Sequence, residues 1–146
     1  EAVLRAAGLT TEAAGSDAVR AVLAICQEKV RVLSELPDYT RYFFSDEYPT
    51  NEKALNKALR KGEAIERLRE LEQLLADQED FSAEGLERAI GGLIESSGHR
   101  HNDYFAVARV AVSGVVGGPG FYDLIHLIGR ERSLDRIARF LNTHGA

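Results

Sequence analysis

Three observations predict an all-α fold. Apolar residues recur three and four positions apart along almost the whole chain, the two-residue alternation of a strand is hard to find, and cap residues punctuate the apolar stripes at helical lengths. Seven or eight helices joined by short turns are expected.

The elements follow in chain order. In SDAVRAVLAICQEKVRVLSEL, residues Val19, Val22, Cys26, Val30 and Leu33 fall on one helical face. A packed core thiol is the plain reading of Cys26, with a reactive nucleophile as the alternative. Pro37 heads LPDYTRYFF, where its fixed φ suits a first helical turn, and Tyr39, Tyr42 and Phe43 follow. YPTNEKALNKALRKG reads as a turn at Tyr48 and Pro49, a cap at Thr50 or Asn51, a helix carrying Ala54, Leu55, Ala58 and Leu59, and a stop at Gly62. Next, Ile65, Leu68, Leu71, Leu74 and Leu75 make a stripe in EAIERLRELEQLLADQ, with Glu66, Arg67, Arg69 and Glu70 on the wet side. Ser82 caps FSAEGLERAIGGLIES, in which Leu86, Ala89, Ile90, Leu93 and Ile94 share a face. Gly91 and Gly92 weaken that helix by roughly 1 kcal/mol each relative to alanine, so close packing against a neighbour is expected to explain them. In the last segment Leu134, Ile137, Ala138 and Leu141 form the apolar face, leaving Arg132, Arg136 and Arg139 toward one flank.

With 146 residues, 45% of them hydrophobic, the chain can bury a core of its own. It begins at Glu1, has no methionine, no charged-then-apolar leader and no apolar run long enough to cross a bilayer, so an internal or C-terminal piece of a longer soluble protein is expected. The single cysteine rules out an internal disulfide framework and fits a reducing cytosol, hence a cytoplasmic protein. A net charge of −5 argues against nonspecific binding to DNA or RNA. The charge is unevenly spread: residues 1–98 hold 12 Lys and Arg against 19 Asp and Glu, whereas residues 99–146 hold 6 against 4. A basic last third on an acidic body permits a local anion-binding surface. One seam is expected near Gly98, in SSGHRHND, where polarity and charge balance both change, and another around residues 45–50.

Few residues look catalytic. HRH at 99–101 places two imidazoles in a loop-like stretch with no cysteine nearby and no third histidine at helical spacing, too little for a zinc site, and no metal is expected. His126 on an amphipathic helix and His144 near the end read as structural or solvated. The carboxylates face water on helices, and no serine, histidine and aspartate follow a nucleophile-elbow order. GVVGGPG, residues 114–120, lacks a preceding strand and the lysine of a phosphate-gripping loop. No catalytic residue and no cofactor are expected here. Glycines do let backbone N–H and C=O groups approach a flat ligand, and unstacked RNA bases present such edges. Arg109, one short segment upstream, has a guanidinium suited to stack on a base or meet a phosphate. A glycine-rich hinge between two helices is the other reading of the same residues.

ARVAVSGVVGGPGFYDLIHLIGRERSLDRI resembles the C-terminal signature of bacterial glutamyl-tRNA synthetases. In that signature an apolar segment ends in Thr/Ser-Gly, a variable stretch leads to Pro-Gly, and a helix closes with Leu-Gly-Lys/Arg-Glu-Arg; Ser113-Gly114, Pro119-Gly120 and Ile128-Gly129-Arg130-Glu131-Arg132 match in order and spacing. EKVRVLSEL, YFF and EKALNK match weaker signatures upstream, so the similarity spans essentially the whole chain. The resemblance implies two consecutive helical-bundle subdomains of the class I synthetase anticodon-binding type, at residues 1–46 and 47–146, with an internal seam near 98. It implies a glutamate-tRNA ligase as the parent protein, with ATP and magnesium used by a catalytic domain of the same polypeptide that is absent from these residues. The partner it implies is the anticodon loop of glutamate tRNA, bound by a monomer, without DNA or a membrane. Glutaminyl enzymes use β-barrels for this task, so the lack of strand patterns favours the glutamyl side.

Residue by residue, Arg109 matches an arginine that contacts the anticodon, and Gly118, Pro119 and Phe121 match the loop and helix start that read its first two bases. A member of the family offers a threonine hydroxyl where Gly118 stands, so a hydrogen bond at that point must come from backbone or water. Arg31 matches an arginine that tests the third anticodon base. Cytosine presents acceptors to a donor-only guanidinium, whereas guanine presents N–H donors, a difference worth about 1 to 3 kcal/mol. Arg31 therefore implies an enzyme that discriminates against glutamine tRNA; its alternative is an arginine that solvates its helix. For the whole chain, the alternative is a helical protein–protein interaction module that has lost tRNA binding.

Overall fold

The computed structural model describes residues 16–26 and 36–145; among these it has eight helices and no strand. The chain divides between Tyr48 and Pro49 into two compact units.

In the first unit, α1 (Ser16–Cys26) packs against α2 (Leu36–Phe44). Helix α1 buries Val19, Val22 and Cys26, the three-and-four spacing read from the sequence. Cys26 is the packed thiol: burial pushes its pKa up to about 11, so the nucleophilic thiolate is suppressed. Helix α2 has Pro37 in its first turn and buries Thr40, Tyr42 and Phe43, the last two with ring centres 4.7 Å apart.

The second unit holds α3 (Glu52–Leu59), α4 (Ala64–Asp77), α5 (Ala83–Ser97), α6 (His101–Ser113), α7 (Phe121–Ile128) and α8 (Arg130–His144). Asn51 caps α3, its Oδ1 accepting from the Ala54 N–H at 2.9 Å. Helix α4 seats Leu68, Leu71 and Leu75 in the interior, each worth about 1.5 to 3 kcal/mol in surface removed from water, while Ile65 and Leu74 are half-buried at its edges. Ser82 caps α5 by accepting from the Gly85 N–H at 3.1 Å. Asp80, which holds Ser82 in turn, lies where a Cβ on Gly85 would fall, so only glycine fits that first turn.

Helix α6 is the centre of this unit. It packs against α3, α4, α7 and α8, and buries Tyr104, Val107, Ala108, Val110, Ala111, Val112 and Ser113, which accounts for its weak amphipathic pattern. At its start the Asp103 carboxylate accepts from the Arg100 N–H at 2.9 Å, and this bond holds the carboxyl below the usual aspartate range. Gly98, Gly114 and Gly129 end α5, α6 and α7 with φ of 74°, 80° and 90°. Gly98 is thus a helix-to-helix turn inside the second unit.

Three local expectations are corrected. Gly91 and Gly92 have open space where a side chain would stand, so no neighbour's close approach explains them. Arg67 is not on the wet side: its guanidinium meets His99 Nε2, pairs with Glu70 at 3.0 Å, and its side chain is only 13% exposed. Glu70 also accepts from the Tyr104 hydroxyl at 2.7 Å, tying α4 to α6. Arg136, expected toward one flank of its helix, is instead 1% exposed in the interior, where its Nη1 donates at 2.7 Å to the Val112 carbonyl at the end of α6.

Candidate nucleic-acid interface

The segment 113–121 is built from the end of α6, the glycine run and the start of α7. Ser113 is buried, and its Oγ–H points at the Arg109 carbonyl, 2.7 Å away, and at the Val115 carbonyl, 3.1 Å away. That hydroxyl ties the last turn of α6 to the start of the loop. Gly114 turns the chain through the left-handed region, donates to the Val110 carbonyl and accepts from the Asn51 N–H, both at 2.9 Å. A Cβ there would strike the Pro49 carbonyl, so glycine is required at 114 by geometry.

Beyond Gly114 the loop opens to solvent. Val116 is 47% exposed, the one large apolar side chain so placed among the described residues, with exposed Gly117 next to it. Gly118, at φ 119°, takes a backbone conformation that glycine favours and a threonine does not. Pro119 is buried, and its carbonyl accepts from Arg109 Nη1 at 2.8 Å, so the arginine closes the loop onto the helix that precedes it.

The aromatic rings lie beneath. Phe121, the first residue of α7, is buried and stacks on Phe105 with ring centres 4.4 Å apart; the Arg109 guanidinium also lies against it, with Cζ 5.8 Å from the ring centre. Tyr122 meets Phe105 edge-on at 5.7 Å, and burial together with nearby Glu87 raises its phenol pKa, keeping it a neutral donor. Phe121 is therefore a floor for the loop, and what Gly120 and Phe121 can present outward is backbone. Gly120 at its N-cap is exposed, and no side chain caps the helix. Asp123 in the first turn is exposed and residues 114–120 include no lysine or arginine. Uncapped N–H groups beside a carboxylate suit the neutral edge of a base better than a phosphate.

Four of the five site residues expected from the sequence, Arg109, Gly118, Pro119 and Phe121, are thus brought together; Arg31 lies outside the described residues. Sequence reasoning missed Phe105, although it stands four residues before Arg109 and so on the same helical face, and it missed the buried role of Arg136. Among the described residues no group of three His, Cys, Asp or Glu is placed to hold a metal ion. No described helix is long and apolar enough to cross a membrane.

A family model described as anticodon binding domain matches residues 3–141. The chain belongs to this anticodon-binding family. Similar proteins include a glutamate–tRNA ligase of Moorella thermoacetica, 35% identical over 126 residues that cover 84% of this chain and 26% of that protein. The glutamate–tRNA ligase 2 of Pseudothermotoga lettingae is 33% identical over 84% of this chain and 26% of its own length. The ligase of Thermus thermophilus is 31% identical over 94% and 28%. The anticodon-binding chain therefore spans about a quarter of the length of the relatives it matches. Among solved structures, a glutamate–tRNA ligase from Elizabethkingia meningosepticum superposes with a TM-score of 0.84 over 97% of this chain and 27% of that one, at 23% identity, which shows the shared helical fold.

Proposed function

We propose that this chain docks the anticodon loop of glutamate tRNA on behalf of a glutamate-tRNA ligase catalytic domain in the same polypeptide. Charging, with ATP and magnesium, belongs to that domain, and these 146 residues bind as a monomer in the cytoplasm without catalysing. Bases splayed from the loop meet the Gly117–Phe121 backbone edge, and Arg109 holds that edge in shape. The observation that carries the reading is the 2.8 Å bond from Arg109 to the Pro119 carbonyl over the Phe105–Phe121 stack: it presents an uncapped helix start and a side-chain-poor loop at one rigid place. Arg31 tests the third base, accepting cytosine and rejecting the N–H donors of guanine.

The test is binding of this chain to anticodon stem-loops ending in cytosine or guanine, at one fixed salt, for the wild type, Arg109→Ala and Arg31→Gln. The wild type is expected to prefer cytosine by about ten- to a hundredfold, a margin one polar base contact provides. Arg109→Ala is expected to weaken both complexes, and Arg31→Gln to erase the preference. Equal affinity of the wild type for the two stem-loops removes Arg31 as selector. No binding by the wild type to intact glutamate tRNA overturns the reading in favour of a protein-interaction module.

A further inference from the structure

Arg136 is the largest fully buried side chain among the described residues, and it is a cation. A guanidinium in an interior is costly unless fixed partners replace its water, so its position asks what it holds. Its Nη1 donates at 2.7 Å to the carbonyl of Val112, the next-to-last residue of α6. That carbonyl is one of the four a helix leaves open at its C-terminus, where the backbone dipoles sum to a partial negative charge. Helix α6 carries no basic residue in its own last turn. Arg136 supplies that cation from α8, 24 residues further along the chain.

Two further carbonyls at this end of α6 are held from within the same segment. Ser113 Oγ takes the Arg109 carbonyl and the Gly114 N–H takes that of Val110. The same turn therefore fixes the backbone of Arg109, the direction in which Gly114 leaves the helix, and through the Gly114 carbonyl the Asn51 N–H. We infer that Arg136 is a positioning residue for the anticodon-facing loop: it clamps the end of α6 to α8 so that residues 114–120 leave at a fixed angle and Arg109 can reach the Pro119 carbonyl. The inference rests on the anticodon reading for what the loop does, but the clamp itself is a property of this chain.

The experiment uses this chain with Arg136→Met, which keeps bulk and removes the donors, and Arg136→Gln, which is too short to span the same gap. Amide hydrogen exchange is followed at Asn51 and Gly114, which report the loop, and at Leu71 and Leu75, which report the α4 core; stem-loop affinity is measured in parallel. Both variants are expected to accelerate exchange at Asn51 and Gly114 by tenfold or more relative to the α4 amides, and to weaken stem-loop binding by at least tenfold with the base preference reduced. Exchange that rises equally in loop and core, or not at all, in the variants that fold overturns the clamp. Should Arg136→Met not fold, Arg136→Gln decides by the same ratio. If the wild type binds no stem-loop, the anticodon reading falls on that arm, and the exchange ratio still decides on Arg136.

Discussion

Gly114 and the glycine pair Gly91-Gly92 show how differently one residue type can be used. At Gly114 the chain runs at φ 80° and the missing Cβ is aimed at the Pro49 carbonyl. Alanine there must both adopt the left-handed conformation and displace a backbone group that cannot yield as a side chain would. Gly114→Ala is expected to destabilise the chain by about 2 to 4 kcal/mol in urea unfolding; a loss below half a kcal/mol would show that the contact relaxes freely. The same reasoning bears on Gly118, where φ 119° suits glycine and a β-branched residue would be strained. Sequence could mark these as glycines in an apolar run. It could not say which of them was obligatory, because that depends on Pro49, 65 positions away on a different segment.

Helix α5 carries the contrasting prediction. Gly91 and Gly92 lie in its interior with nothing within 4 Å of the place a Cβ would occupy. The only effect of their substitution is then on helix propensity, and Gly91→Ala and Gly92→Ala are each expected to stabilise by about 0.5 to 1 kcal/mol, read as a higher urea midpoint at unchanged slope. A destabilised variant would point to a neighbour the helix must accommodate. The helices themselves were legible because their apolar stripes and caps are local: Asn51, Ser82 and the leucines of α4 all stand as the pattern requires. What escaped was the inward turn of long polar side chains. Periodicity assigns Arg67 and Arg136 to faces by sequence spacing alone, yet each turns inward onto a partner far along the chain, Arg67 onto His99 and Arg136 onto the Val112 carbonyl. Phe105 was overlooked for the same reason, since its stacking partner Phe121 lies beyond the glycine loop.

Across the whole molecule, the charge distribution limits how RNA can be held. Residues 99–146 include six arginines and no lysine, and burial of Arg136 leaves at most five to meet phosphate. Residues 1–98 carry an acidic excess of seven that opposes a wider phosphate footprint. For a single-stranded loop each neutralised phosphate contributes about −0.7 to the slope of log K against log salt, so a footprint confined to the last third cannot exceed a slope of roughly −3.5. Because Arg109 is occupied with the Pro119 carbonyl and Asp123 sits at the α7 start, a slope nearer −2 is expected for the anticodon stem-loop. The measurement is the dissociation constant between 50 and about 300 mM salt, a range over which phosphate-dominated binders lose several decades of affinity. A slope steeper than about −4 would mean that cations of residues 1–98 carry the RNA and that the glycine loop is peripheral. A shallow slope with the cytosine preference intact would instead mean that affinity resides in base contacts, as an acidic chain with a neutral, side-chain-poor reading edge requires.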